Sequence, residues 1–278
     1  MKENRKLSED LTHRKGARKA EDIPAEVLGL LNRGEMETVN LTEWLAVDHQ
    51  QLIQAAFPIL GVSQEAIRLM SGEIASQKKP TAMNTTKLVG SMLYQQYPAQ
   101  DELGRVLNAL STHPSDSIRC YAPYLIGLND RLSIEDKLNQ AQGLVADTHF
   151  GVREVVWMAL RPAIDENLEE SIRILSTWTS HEDENVRRFT TEATRPRGVW
   201  CKHIEELKSN PEMALPILEP LKADASKYVQ DSVGNWLNDA SKSKPEFVLH
   251  LCNRWKKESP TKETERIIKK ARRTIDKK

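Results

Sequence analysis

The sequence predicts an all-α chain, an α-solenoid of stacked helix pairs, and three observations carry that reading. Leu, Ala and Glu are common, only 12 of 278 residues are glycine and 5% are aromatic, which favours helices over a sheet. From residue 113 onward the chain repeats itself: HPSDSIRCYAPYLI, DTHFGVREVVWMAL, HEDENVRRFTTEAT, DASKYVQDSVGNWL and, more weakly, SPTKETERIIKKAR. Each segment opens on a polar turn and reaches an apolar anchor that starts a helix. The anchors are Ile118, Val152, Val186, Val229 and Thr264, so the intervals are 34, 34, 43 and 35 residues. A helix pair at such a period buries its apolar face only against its neighbours, which is the pattern of a solenoid.

In chain order, residues 1–22 are charged and aperiodic and read as a flexible arm. Helices are expected over 23–32, with Pro24 in the first turn, over 41–56 with Leu41, Trp44, Leu45, Leu52 and Ile53 as the apolar stripe, and over 63–76, 86–97 and 102–110. Lys78, Lys79 and Pro80 mark 77–85 as a loop. The segment 23–112 thus supplies N-terminal helices and 113–278 the clear repeats, within one domain. Second helices of the repeats are expected over 134–146 and 168–177.

The one long interval holds about nine extra residues, 195–203, RPRGVWCKH. Pro196 ends a helix there and Gly198 loosens the backbone. An insertion on one face of a solenoid is more often a binding loop than a packing element. Equal offsets from the anchors predict a ladder on one helix face. Two past the anchors stand Cys120, Glu154, Arg188 and Asp231; six past, Tyr124, Met158, Glu192 and Asn235; nine past, Gly127, Arg161, Arg195 and Asn238. Acids, bases and amides are expected to converge near Glu154 and Arg188.

Exposed ion pairs add only about 0–1 kcal/mol, so a solvated face explains any one of these charges. The set asks for more. Arg153, Arg161, Arg187, Arg188, Arg195, Arg197 and Lys202 crowd two repeats, and Trp157, Trp200 and Trp236 lie beside them. Basic groups answer phosphates and indoles stack on bases. Trp157 and Trp236 have a competing claim as core residues, whereas Trp44, Trp178 and Trp255 sit on helical stripes.

The net charge is zero, but from residue 254 to the end there are eleven Lys or Arg against four acids, a local surplus of seven. Cys120, Cys201 and Cys252 are odd in number and far apart, which points to a reduced compartment without disulfides. Cys201 and His203 lack further ligands at zinc spacing, so no metal is expected. MKENRKLSED has no signal-peptide core, and no run approaches the roughly 18 apolar residues of a membrane span, so the cytoplasm is the expected location.

The runs REVVWMALRP (153–162), NVRRFTTEATRPRGVWC (185–201) and YVQDSVGNWLNDASKSKPEFV (228–248), with KGARKAEDIP (15–24), resemble the AlkC/AlkD superfamily of alkylated-base DNA glycosylases, the AlkC branch most closely. The resemblance implies HEAT-like helical repeats forming a concave DNA-binding surface. It also implies hydrolysis of the N-glycosidic bond of cationic methylated bases such as 3-methyladenine in double-stranded DNA, without metal or organic cofactor. Some AlkC relatives carry a C-terminal immunoglobulin-like domain, and none is expected after the basic helix that runs to Lys278.

Position by position, the resemblance makes Glu154 the catalytic carboxylate, in FGVRE where AlkD-like members have a Trp-Asp-x-x-Asp-type segment. It makes Arg188 a DNA contact one repeat later. Phe150 stands where such members have tryptophan, and Asn235 stands where they have another, with Trp236 displaced by one. Those departures favour an AlkC-like pocket over the AlkD aromatic cradle. The expected DNA-binding set is therefore Arg153, Arg161, Arg187, Arg188, Arg195, Arg197, Trp200 and Lys202. The expected base or sugar pocket is Phe150, Trp157, Glu192, Asp231, Asn235 and Trp236. A monomer is expected, with a non-catalytic protein that binds damaged or branched DNA as the alternative reading and a protein-binding scaffold as the third.

Overall fold

The structure is a computed structural model that describes residue 11 and residues 13–277. Every regular element among them is a helix: α1 (Ala25–Arg33), α2 (Leu41–Ala46), α3 (His49–Ala56), α4 (Gln64–Ser76), α5 (Ala82–Gln96), α6 (Gln100–Ser111), α7 (Asp116–Arg119), α8 (Ala122–Gly127), α9 (Ile134–Val145), α10 (Phe150–Glu166), α11 (Leu168–Trp178), α12 (Glu184–Ala193), α13 (Glu205–Ser209), α14 (Leu215–Leu218), α15 (Lys227–Ser241), α16 (Pro245–Glu258) and α17 (Lys262–Ala271). Two short 3-10 turns, Ala20–Asp22 and Pro211–Ala214, complete the order. The all-α, repeated-helix class expected from the periodicity is what is found.

The chain, read above as one domain, divides into two compact units. The first holds residues up to Asn129 together with His149–Ala159, and the second holds Asp130–Thr148 and the residues from Leu160 on.

In the first unit α1 packs on α3 and α5 on α8, around Leu52, Ile53, Phe57, Val89, Leu93 and Tyr121. The stretch expected as one helix over 41–56 is two, because Val47 is extended and Asp48 caps a new helix by accepting the Gln50 and Gln51 N–H groups. The HPSDSIRCYAPYLI segment likewise holds two short helices, since Pro123 is tolerated only in a first turn. Gly34, at φ 73°, closes α1 in the left-handed conformation that glycine adopts at least cost.

Of the arm expected over 1–22, residues 1–10 and 12 lie outside the described residues. The remainder is not free. Arg14 forms a two-point pair with the buried Glu43 (Nε–Oε1 3.0 Å, Nη2–Oε2 2.7 Å) and also donates to the Leu11 and Glu37 carbonyls. Asn40 holds the Ala17 carbonyl at 2.8 Å. A buried carboxylate needs such a partner, and the basic arm supplies it.

In the second unit α12, α15 and α17 pack side by side, with α11 and α16 among the helices behind them. Their starts carry the caps the polar turns promised: Asp183, Ser226 and Thr261 each accept a first-turn N–H. The repeat turns also share a clasp. The residue five before the anchor (His113, His181 or Asp224) accepts the N–H two residues on, at 2.8–3.1 Å. The residue one past the anchor (Arg119, Arg187 or Gln230) folds back on the carbonyls that open the turn.

Candidate nucleic-acid interface

In the second unit the equal-offset ladder is realised between adjacent helices. Asp231 on α15 accepts from Arg266 on α17 at 2.7 Å, both two past their anchors. Lys270 reaches the same carboxylate at 2.7 Å, and Arg273 donates to Asn235 at 3.0 Å. On α12, Arg188 lies 4.2 Å over the Tyr228 ring and 3.6 Å from Glu192. The result is a cationic strip of Arg188 on α12, Arg266 and Lys270 on α17 and Arg273 just past it, seated on the α15 side chains Tyr228, Asp231 and Asn235. Burial works against ionisation of Asp231, but hydrogen bonds and charge from Lys270 and Arg266 outweigh it and hold its pKa below the ordinary carboxylate value. Asp231 and Asn235, expected in a base pocket, serve here to seat these cations.

Sequence reasoning missed Tyr228, Arg266, Lys270 and Arg273. The signal for three of them was present: the surplus of charge after residue 254, combined with the same offset rule applied to Thr264.

The inserted loop 195–203 is held from inside. Arg161, expected on the DNA face, is 3% exposed and donates to the carbonyls of Ala193 (2.9 Å), Arg195 (2.5 Å) and Lys202 (2.9 Å). Trp236, expected in the pocket, is fully buried and donates its indole N–H to the Thr194 carbonyl at 2.9 Å. Ile204 N–H bonds the Pro196 carbonyl at 3.2 Å. Gly198 is required by proximity, since a Cβ there would collide with Cys201 Sγ and crowd the Arg161 guanidinium. Loop backbone must place its polar groups somewhere, and one helix arginine satisfies both ends of this one.

Other expected DNA contacts are also spent internally. Arg195 pairs with the buried Asp239 at 2.7 Å and with Glu192 at 3.4 Å, and Glu192, expected in the pocket, is only 4% exposed. Arg187 pairs with Asp224 at 2.6 Å as part of its turn clasp. Arg197 turns to the Ser243 hydroxyl at 2.7 Å. Each has a buried or half-buried partner that outcompetes solvent. Trp200 and Lys202, by contrast, stand outward, with Trp200 69% exposed and the Lys202 ammonium 3.7 Å from Asp165.

In the first unit, α10 presents Phe150, Arg153, Glu154 and Trp157. The Trp157 ring is 2% exposed, so it is core, and its indole N–H donates to Glu154 Oε2 at 2.9 Å. Glu154 is half-buried at the surface of the helix. Phe150 is half-buried against the His149 ring, at 4.6 Å between centroids. Arg153, also half-buried, occupies the clasp position one past its anchor. Arg188, the expected partner of Glu154, belongs to the second unit. Among the described residues no group of three or more His, Cys, Asp or Glu is arranged to hold a metal, and no helix is long and apolar enough to cross a membrane.

Residues 132–273 match the family model described as DNA alkylation repair enzyme. Uncharacterized protein YhaZ of Bacillus subtilis (strain 168) is 44% identical over 120 residues, 43% of this chain and 33% of that protein. Among solved structures, the Pseudomonas fluorescens alkylpurine DNA glycosylase AlkC, bound to DNA containing an abasic site analog, is similar with a TM-score of 0.66 at 24% identity, over 82% of this chain and 62% of that one. AlkD2 from Streptococcus mutans gives 0.59 at 24% identity, over 77% and 98%. At that identity the likeness to these structures is one of fold. The chain spans about a third of YhaZ and less than two thirds of the Pseudomonas protein.

Proposed function

The chain belongs to the DNA alkylation repair enzyme family, and from that premise we propose that it is a DNA glycosylase, acting as a monomer on cationic N-methylated bases such as 3-methyladenine in double-stranded DNA. Glu154 is the observation that carries the reading. Its half-buried carboxylate is oriented by the N–H of a core indole, within the residues the family model matches. A charge-assisted bond from a buried ring fixes the orientation of the carboxylate.

The chemistry asks for little else. The bond from the sugar C1′ to the base nitrogen breaks with its electron pair going to the base, which is already cationic and so departs neutral. Positive charge then develops on the sugar. A carboxylate beside it stabilises that charge, and takes the proton of the water that adds to C1′. In the second unit the strip of Arg188, Arg266, Lys270 and Arg273, with Lys202 on the inserted loop, is suited to phosphates of the backbone. The substrate named for the Pseudomonas relative, an alkylpurine, is consistent with this choice.

The test is single-turnover base release from methylated duplex DNA by wild type and Glu154→Gln at matched DNA affinity. Release by wild type and a loss of about 10²-fold or more in the variant is expected. Tight binding without release by wild type would replace the enzyme by a protein that binds damaged DNA and does not cut the glycosidic bond.

A further inference from the structure

We propose that the tip of the inserted loop, Val199 and Trp200, is an apolar wedge whose indole stacks on a nucleobase face opened in duplex DNA. The inference rests on the DNA reading above and adds a contact of a different kind, to bases instead of phosphates.

Two observations carry it. The tip exposes two apolar side chains in succession, Val199 at 49% and Trp200 at 69%. Trp200 also sits at φ 58°, and among the described residues it is the one non-glycine residue with positive φ. A bulky residue in the left-handed region is strained and persists only where its surroundings over-determine the backbone. Here they do: the carbonyls of 193, 194, 195, 196 and 202 are all held, four of them from Arg161 and Trp236, as described. The stem is held at these points while the tip side chains stand largely exposed. An indole displayed in this way loses little conformational freedom when it meets a partner.

The partner's chemistry follows from the neighbours. Lys202, two residues on, is 86% exposed and reaches outward as a compact cation. A flat apolar face beside a cation matches a base beside its phosphate. Apolar side chains inserted at base steps are a known way for a protein to hold distorted duplex. A paired, stacked base offers no open face, so the wedge favours DNA in which stacking is already broken.

Fluorescence anisotropy with two duplexes of one sequence, one intact and one carrying a tetrahydrofuran abasic-site analogue, tests the assignment for wild type, Trp200→Ala, Trp200→Phe and Lys202→Ala. Trp200→Ala is expected to weaken binding to the abasic duplex by about 5- to 100-fold and to the intact duplex by less, with the salt dependence unchanged. Trp200→Phe should recover most of the loss. Lys202→Ala should weaken both duplexes alike and reduce the slope of log affinity against log salt by about 0.9. If wild type binds both duplexes with the expected salt dependence and Trp200→Ala loses less than threefold, or loses equally on both, the wedge is overturned and the DNA reading stands. Failure of wild type to bind either duplex at low salt would overturn both.

Discussion

Arg161 carries the sharpest lesson at the scale of single residues, because a position that reads as surface charge proves to be an internal tie. Its three carbonyl partners have no other donor described, so Arg161→Met is expected to leave them unsatisfied and to cost roughly 2–4 kcal/mol. Urea unfolding of the two proteins checks this, and a loss under about 1 kcal/mol would sink it. His49 gives a second prediction. It is buried, with Nδ1 2.6 Å from the Tyr121 hydroxyl, and burial depresses its pKa from 6.5 to about 4. The folded protein therefore refuses a proton that the unfolded chain accepts below pH 6.5. Stability present above pH 6.5 should fall as pH drops toward 4, by up to about 3 kcal/mol from this group. Melting curves at pH 7 and 4.5 should show a shallower dependence in His49→Gln, and an identical dependence would assign the effect elsewhere. The outward position of Trp200 was legible, since it falls in an insertion that breaks the period. The inward turn of Arg161, Arg195 and Trp236 was not. Sequence spacing gives the face of a helix, but not which loop carbonyls lie within reach of it.

At the scale of elements, the intervals between anchors and the Ser, Thr and Asp caps made the repeats legible, and the helices after residue 130 fall close to the spans expected. What escaped was the turn between helices. His113 with Arg119, His181 with Arg187 and Asp224 with Gln230 form one recurring clasp, and it uses arginines that the sequence offers equally well to phosphate. The break at Val47 and Asp48 escaped for the opposite reason: the apolar stripe runs straight across it, and only the capping geometry of Asp48 reveals two helices. Asp224 tests the clasp, because one carboxylate both pairs with Arg187 and holds the Ser226 N–H. Asp224→Ala is expected to cost about 1–3 kcal/mol, and a double-mutant cycle with Arg187→Ala should return a coupling of at least about 0.5 kcal/mol. Additive losses would mean that the two side chains act independently.

For the whole molecule, zero net charge conceals a local segregation. Of the cations after residue 254, three, Arg266, Lys270 and Arg273, gather over α15, where Asp231 and Asn235 orient them. Exchanging these three for glutamine should lower the slope of log affinity against log salt for duplex DNA by about 2–3, and should leave little change in melting temperature. An unchanged slope would remove the strip from the interface. The loop tie also has a consequence for how this protein can vary. One guanidinium from α10 fastens the backbone on both sides of residues 196–201, Arg197 is tied to Ser243 and Gly198 is pressed on Arg161, so within the loop only the tip, Val199 and Trp200, stands clear of the stack. The side chains at those two positions can change while α12 and α15 keep their register, so the tip is a cassette: a place that can be rewritten without asking the rest of the chain to refold.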